Sequence, residues 1–337
     1  QVLALPLRMV NFLTQRRSKP GYFRAPIRSP IATYRHIPES MTALRNAGLR
    51  IVVLLILQIL WPGTSRAESP VSPKFSEEVS KQEDIYRSAG EQVPEGYTID
   101  RSLVNYTEAL SAEFDSSLAN LGPNDRWLDI GAGMGQAILD YYAPSYDQSH
   151  FEGRERRGKK AQAVAISIED RRTLIWRQIA ASLGANQIRY LSTRRLGEYA
   201  PEELGRFQVI TDVIGGFSYT TNLAQFVEKV LVLLELSGNF YTVLQDVHSE
   251  EGTNQPYYAK SPFLTEIAAA DGSEVKVCSW LKSITCVEVT CEFKAGWRPP
   301  IEAFRIRKVC NDVTVPALVP VHYEAGTPPE RRFLLRK

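Results

Sequence analysis

The segment 128–135 reads LDIGAGMG. Asp129 sits at the end of a short apolar run. Gly131, Gly133 and Gly135 follow at alternate positions, with Ala132 between the first two. Glycines in a strand-to-helix turn let the backbone bend sharply and approach a ligand closely. The first amides of the helix that follows have no partner within it. The spacing separates ligand classes. A dinucleotide fingerprint needs glycines at relative positions 1, 3 and 6, but position 136 is Gln, and the Gly-Lys-Ser/Thr of a nucleotide P-loop is absent. Two more groups are chemically equipped. The acids Glu169 and Asp170 stand side by side after VAISI, and Asp212 precedes Gly215, Gly216 and Tyr219 in VITDVIGGFSYTT.

The elements that carry these residues alternate. From Asp100 the pattern DRSLVNYTEALSAEFDSSLANLG predicts one helix, with Asp100 as its cap and Gly122 at its end. RWLDI, AQAVAISIE, QIRYL, FQVITDV and NFYTVLQDV read as strands, and GQAILDYYA, TLIWRQIAASLG and LAQFVEKVLVLLEL as helices, with PEELG a short turn or helical piece. Such alternation implies right-handed crossovers and a doubly wound, Rossmann-like α/β fold with a mostly parallel sheet. After Ser261, SPFLTEIAAADG reads as a further helix, and EVKVCSWL, CVEVTCEF and IEAFRIRKV as closely spaced antiparallel strands.

With its turn on the first of several alternating strands, the sequence resembles the class I S-adenosylmethionine-dependent methyltransferases from about Tyr97 to Val247, and loosely to Phe293. The resemblance implies S-adenosylmethionine as cofactor. Asp129 would then orient the first turn and reach the methionine end. Gly131, Ala132, Gly133 and Gly135 would let the backbone pass under the carboxypropyl and ribose parts. It also implies an acid after the second strand that takes both ribose hydroxyls. Glu169 is the first choice and Asp170 the second, the competing reading being that Asp170 caps a helix and Glu169 is solvated. The family's third motif is altered here: Thr193 and Arg194 stand where Gly-Asp is common, with Glu198 as a substitute. Beyond the fourth strand, Asp212 and Tyr219 are the catalytic candidates, Asp212 having the alternative role of capping the turn. Tyr97, Arg101 and Tyr106 either cover the cofactor or pack their helix. The implied function is methyl transfer to an acceptor that the sequence does not name. The alternative is an exported, non-catalytic domain that keeps the fold for binding or interaction.

The chain has 337 residues, 44% hydrophobic and 23% charged, a globular composition with room for a substantial core. Ten of its Lys/Arg and one acid fall in residues 1–67, leaving 30 bases and 37 acids in the rest. An acidic body argues against nucleic-acid binding, which rests on phosphate neutralisation. Residues 41–67 have a basic start, an apolar run from Ile51 to Trp61, and small residues at Ser65 and Ala67. That is the layout of a signal peptide cleaved after Ala67, implying export to a periplasmic or similar compartment. If it is uncleaved, residues 51–61 are the one expected membrane contact, with the domain anchored or cytoplasmic. Residues 1–40 read as an upstream or disordered segment, 68–95 as a linker and N-terminal helix with the linker running to about Lys81, and 96–337 as the methyltransferase-like domain with its C-terminal β extension. The excess between Gly135 and Glu169, residues 144–161, is basic and is expected on the sheet face opposite the cofactor.

The four cysteines lie at 278, 286, 291 and 310. In an oxidising compartment they fit two disulfides. Cys286 and Cys291 differ by an odd number, would face opposite sides of one strand and should not pair with each other; each needs a partner elsewhere, and 278–286 with 291–310 is the preferred set. No metal is expected, because C-x-x-C is absent and His248 and His322 lack ligand spacing.

Overall fold

A computed structural model describes residues 73–92, 101–142, 161–184, 186–245, 264–297 and 300–336. These belong to one compact unit, Glu68–Lys337. The candidate signal peptide, Tyr97, Asp100 and residues 144–160 lie outside the described residues.

Seven strands form the main sheet: β1 (Arg126–Ile130), β2 (Gln162–Ile166), β3 (Ile188–Leu191), β4 (Phe207–Val213), β5 (Leu234–Gln245), β8 (Val287–Lys294) and β9 (Ile301–Lys308). Their order is β3-β2-β1-β4-β5-β9-β8. The first five are parallel, and β9 and β8 add antiparallel at one edge. This is the doubly wound arrangement read from the alternation. β1, β2 and β4 are buried almost throughout, as strands covered on both faces must be. On one face Trp127, Ala165, Val209 and Tyr241 pack against α2 (Leu103–Ala109), α3 (Glu113–Ala119), α4 (Gln136–Tyr142) and α5 (Leu174–Leu183). On the other, Leu128, Ile130, Ile210 and Phe240 meet α8 (Leu223–Leu233) and the C-terminal elements. Short helices α6 (Pro201–Leu204) and α7 (Gly216–Tyr219) flank β4.

Four elements differ from expectation. Most of the linker is α1 (Pro73–Gln92): Pro73 suits a first helical position, and the Glu, Lys and Gln residues behind it are good helix formers. The helix expected over 100–122 is two helices, α2 and α3. Leu110 turns extended between them, and the Lys294 ammonium donates to the carbonyls of Glu108 and Leu110 at 2.9 and 2.6 Å. A long-range donor thus satisfies the break that periodicity hides. Ser102, with Asn105, makes a reciprocal cap for α2.

The third and fourth differences lie after residue 264. The expected helix there is β6 (Thr265–Ala268), which pairs in parallel with the last strand, β11 (Glu330–Leu335). The expected strand EVKVCSWL is the two-residue β7 (Glu274–Val275) followed by α9 (Val277–Lys282). With β10 (Leu318–Glu324), a second sheet of order β10-β11-β6-β7 results.

The cysteine pairing also changes. The disulfides are Cys278–Cys291 and Cys286–Cys310, with Cα atoms 6.2 and 4.9 Å apart. Cys278 lies on a helix packed on β8, which carries Cys291. Cys286 precedes β8 where it runs antiparallel to β9, beside Cys310. Cys286 and Cys291 do not pair, as the parity argument expects.

Candidate ligand site at the strand ends

The parallel strands reverse order between β1 and β4, and in open α/β sheets ligands bind at the carboxyl ends of strands beside such a point. A cavity of about 380 Å³ opens there. It is lined by Ile130 at the end of β1, Gly131 and Gly133 after it, Ser167 and Ile168 after β2, and Ile214 to Gly216 after β4. Gly131, Gly133 and Gly135 all have left-handed φ values, 71°, 56° and 81°. A Cβ on Gly131 would stand 2.7 Å from the Gly215 Cα, so the two turns approach closely because both positions are glycine. Ile214, a β-branched residue, is held at φ 55° on the cavity wall. Such a conformation persists only where the surroundings impose it.

Asp129 does not line the cavity. It is fully buried and accepts hydrogen bonds from the Tyr106 hydroxyl (3.0 Å) and the Thr211 hydroxyl (2.7 Å). The Trp127 indole donates to Thr211 at 2.8 Å. Burial first, then the Asp129 charge, raises the Tyr106 phenol well above its usual range, so it stays a donor. Of the three covering candidates, Tyr106 supports Asp129, Arg101 lines the cavity, and Tyr97 lies outside the described residues.

Glu169 and Asp170 are close in sequence to the cavity wall but are engaged elsewhere. Glu169 accepts from Arg171 at 2.8 and 3.0 Å. Asp170 is bound by Arg172 at 2.7 and 2.8 Å and by Arg177 at 2.8 Å. The Arg172 hydrogen bond holds the Asp170 carboxyl well below the usual carboxylate range, with Arg177 adding to it against desolvation. Neither acid lines the cavity; Ser167 and Ile168 do. Ser167 directly follows the last residue of β2, where a hydroxyl residue, not a carboxylate, meets the cavity. Glu198 lines the cavity and accepts from the Arg195 amide at 2.5 Å.

Asp212 is fully buried and points into its own turn. It accepts from the amides of Gly215 (2.8 Å) and Phe217 (3.0 Å). Burial pushes its pKa up to about 7, against those amides and the Arg331 charge, which pull it down. Tyr219 does line the cavity.

Four participants carry no signal in the sequence. From α1, Gln82 and Glu83 form part of the cavity wall, and from β10 so does Tyr323. The Gly326 amide donates to Gln82 and the Ala325 amide to Glu78, at 2.9 and 3.1 Å, and Arg195 pairs with Glu83 at 3.0 Å. The fourth is Arg331, fully buried on β11. It donates to the carbonyls of Phe217 (3.0 Å) and Thr220 (2.9 Å) and to the Thr265 hydroxyl (2.7 Å). The second sheet thereby holds α7, one wall of the cavity. Away from the cavity, His322, Glu324 and Glu330 each bring a ligand atom within 4.8 Å of the others. That grouping was not visible in spacing along the chain. No helix among the described residues is long and apolar enough to cross a membrane.

The fold and this site define a doubly wound α/β protein with a ligand cavity at its switch point. No family model and no curated protein matches the sequence. Solved structures resembling the chain include a putative class I S-adenosylmethionine-dependent methyltransferase from Listeria monocytogenes, at 14% identity over 71% of this chain and 69% of that one, with a TM-score of 0.38. A geranyl diphosphate methyltransferase solved with GPP and sinefungin is similar at 11% identity over 59% and 77%, TM-score 0.38. A precorrin-6y C5,15-methyltransferase from Geobacter metallireducens is similar at 13% identity over 58% and 86%, TM-score 0.33.

Proposed function

We propose that the protein binds S-adenosylmethionine in this cavity and transfers its methyl group to an acceptor. The observation that carries the reading is the glycine turn itself. Gly131 and Gly133, both at left-handed φ, present bare backbone to a cavity at the sheet's switch point. The residues present fit the cofactor at this turn, where no side chain fills the cradle. They fit less closely at the acids after β2. Glu169 or Asp170 reaches a ribose only by releasing its arginines, whereas Ser167 already stands at the wall.

Bound S-adenosylmethionine supplies a methyl group already activated by its sulfonium. The protein's task is to align the reacting atoms and exclude water. The chain does this with the glycine backbone below and α1 with Tyr323 as further walls. Tyr219, which is among the residues lining the cavity, is the candidate hydroxyl to meet an acceptor. Asp212 acts through the turn it holds. The two disulfides, which take up all four cysteines, support an oxidising compartment and hence export.

The test is isothermal titration of the purified protein with S-adenosylhomocysteine. Binding is expected, and Gly133→Val is expected to abolish it by filling the cradle; unchanged binding in that variant sinks the reading.

A further inference from the structure

The glycine turn is held from behind by two aromatic side chains. Tyr190, on β3, donates its hydroxyl to the Gly133 carbonyl, and the same oxygen lies 3.2 Å from the Glu169 carbonyl. Trp176, on α5, donates its indole N–H to the Gly135 carbonyl at 3.2 Å. The two rings meet edge to face, with centroids 5.4 Å apart. The Arg172 guanidinium lies 4.9 Å from the Tyr190 ring centroid and 5.6 Å from that of Trp176, and Asp170 holds it there.

This accounts for the third glycine. Gly135 does not line the cavity. A Cβ there would stand 2.7 Å from the Trp176 Nε1. Gly135 therefore makes room for the indole and not for a ligand. Asp170 likewise has a task outside the cavity: it orients the arginine that covers both rings.

We propose that Tyr190 and Trp176 are positioning residues that fix the separation of the two cavity walls, the turn after β1 and the turn after β2. One hydroxyl contacts both, its single proton shared between the two carbonyls: Gly133 belongs to the first turn and Glu169 follows Ser167 and Ile168 of the second. Burial raises the Tyr190 phenol, with a Ser167 hydrogen bond pulling the other way, so the hydroxyl keeps its proton at neutral pH. Trp176 fastens the far end of the first turn. Any ligand that needs both walls at once depends on this clamp. Its effect on cofactor affinity rests on the reading of the cavity given above; its effect on the turns does not.

Two measurements keep these apart. The first is amide hydrogen exchange on the unliganded full chain and on Tyr190→Phe. Removing one hydroxyl should speed exchange at residues 131–136 and 167–170, leaving β4, β5 and β9 unchanged. Equal exchange in both proteins, or a uniform rise throughout, overturns the clamp. The second is titration with S-adenosylhomocysteine. Tyr190→Phe should weaken binding about tenfold, the size of one lost net hydrogen bond. Trp176→Phe, which removes the donor to the Gly135 carbonyl, should likewise weaken binding. If the wild type binds and Tyr190→Phe binds equally well, the positioning role fails. If the wild type does not bind at all, the cofactor reading fails while the exchange experiment still decides the clamp.

Discussion

The parallel half, β1 to β5, and the segment after Leu264 solve the same problem differently. In the parallel half β1 to β4 are each followed by helical segments, and β1 and β2, β2 and β3, and β4 and β5 are neighbours both in sequence and in the sheet. Its key contacts are local turns: Asp212 on the amides of Gly215 and Phe217, and Asp170 on Arg172. After Leu264 the partners are far apart. β6 pairs with β11, Arg331 reaches back to Phe217, and Tyr323 donates to the Tyr219 carbonyl at 3.3 Å. Two disulfides staple α9, β8 and the end of β9. Where pairing is long-range, a buried polar anchor, Arg331, does work that local crossovers do elsewhere, while the disulfides close shorter loops beside it.

The largest expected effect follows from breaking those staples. Each closes a loop, with sequence separations of 13 and 24, and should contribute about 3 kcal/mol. Reduction should lower the urea midpoint clearly. Exchange should rise first in α9, β8 and β9, while β1 to β4 stay protected. Denatured, unreduced protein should titrate as having no free thiol. An unchanged midpoint on full reduction would show that the two halves do not differ in this way.

Arg331→Met tests the junction. It removes the donors to the Phe217 and Thr220 carbonyls and the Thr265 hydroxyl. Stability should fall by roughly 1–3 kcal/mol for a buried acceptor left without a partner. Urea unfolding measures it. A variant as stable as the wild type would mean that the second sheet docks by apolar contact alone.

Asp212 should produce a slope instead of a step, and it belongs to the parallel half. Its folded pKa of about 7 lies above the usual 3.8, so between these values the folded state holds a proton that the unfolded state has lost. Stability from this group therefore falls as pH rises from about 4 to 7 and is level above that. Asp212→Asn should show a flatter profile across that window. Equal slopes in both proteins would show that the carboxylate is ionised throughout and that its amide partners outweigh burial.

Much of the parallel half was legible in the sequence. Asp129 followed by three alternate glycines marks the first turn, and five strands alternate with helices in order. Strands covered on both faces read as apolar runs, and their crossovers are encoded within a few tens of residues. Fold class follows from that, as does the place of the cavity. Much of the rest was decided by tertiary structure. Glu169 and Asp170 look like ligand-facing acids, but whether a carboxylate meets a ligand or an arginine depends on side-chain direction, which spacing does not carry. Cys278 pairs with Cys291 because its segment folds as a helix over β8, and Cys286 with Cys310 because the β8–β9 register brings them together. Helix α1, Tyr323 and Arg331 join the site from opposite ends of the chain. Their side-chain hydrogen bonds to other elements span from 66 to 247 residues, and no local pattern records a partner at such distances.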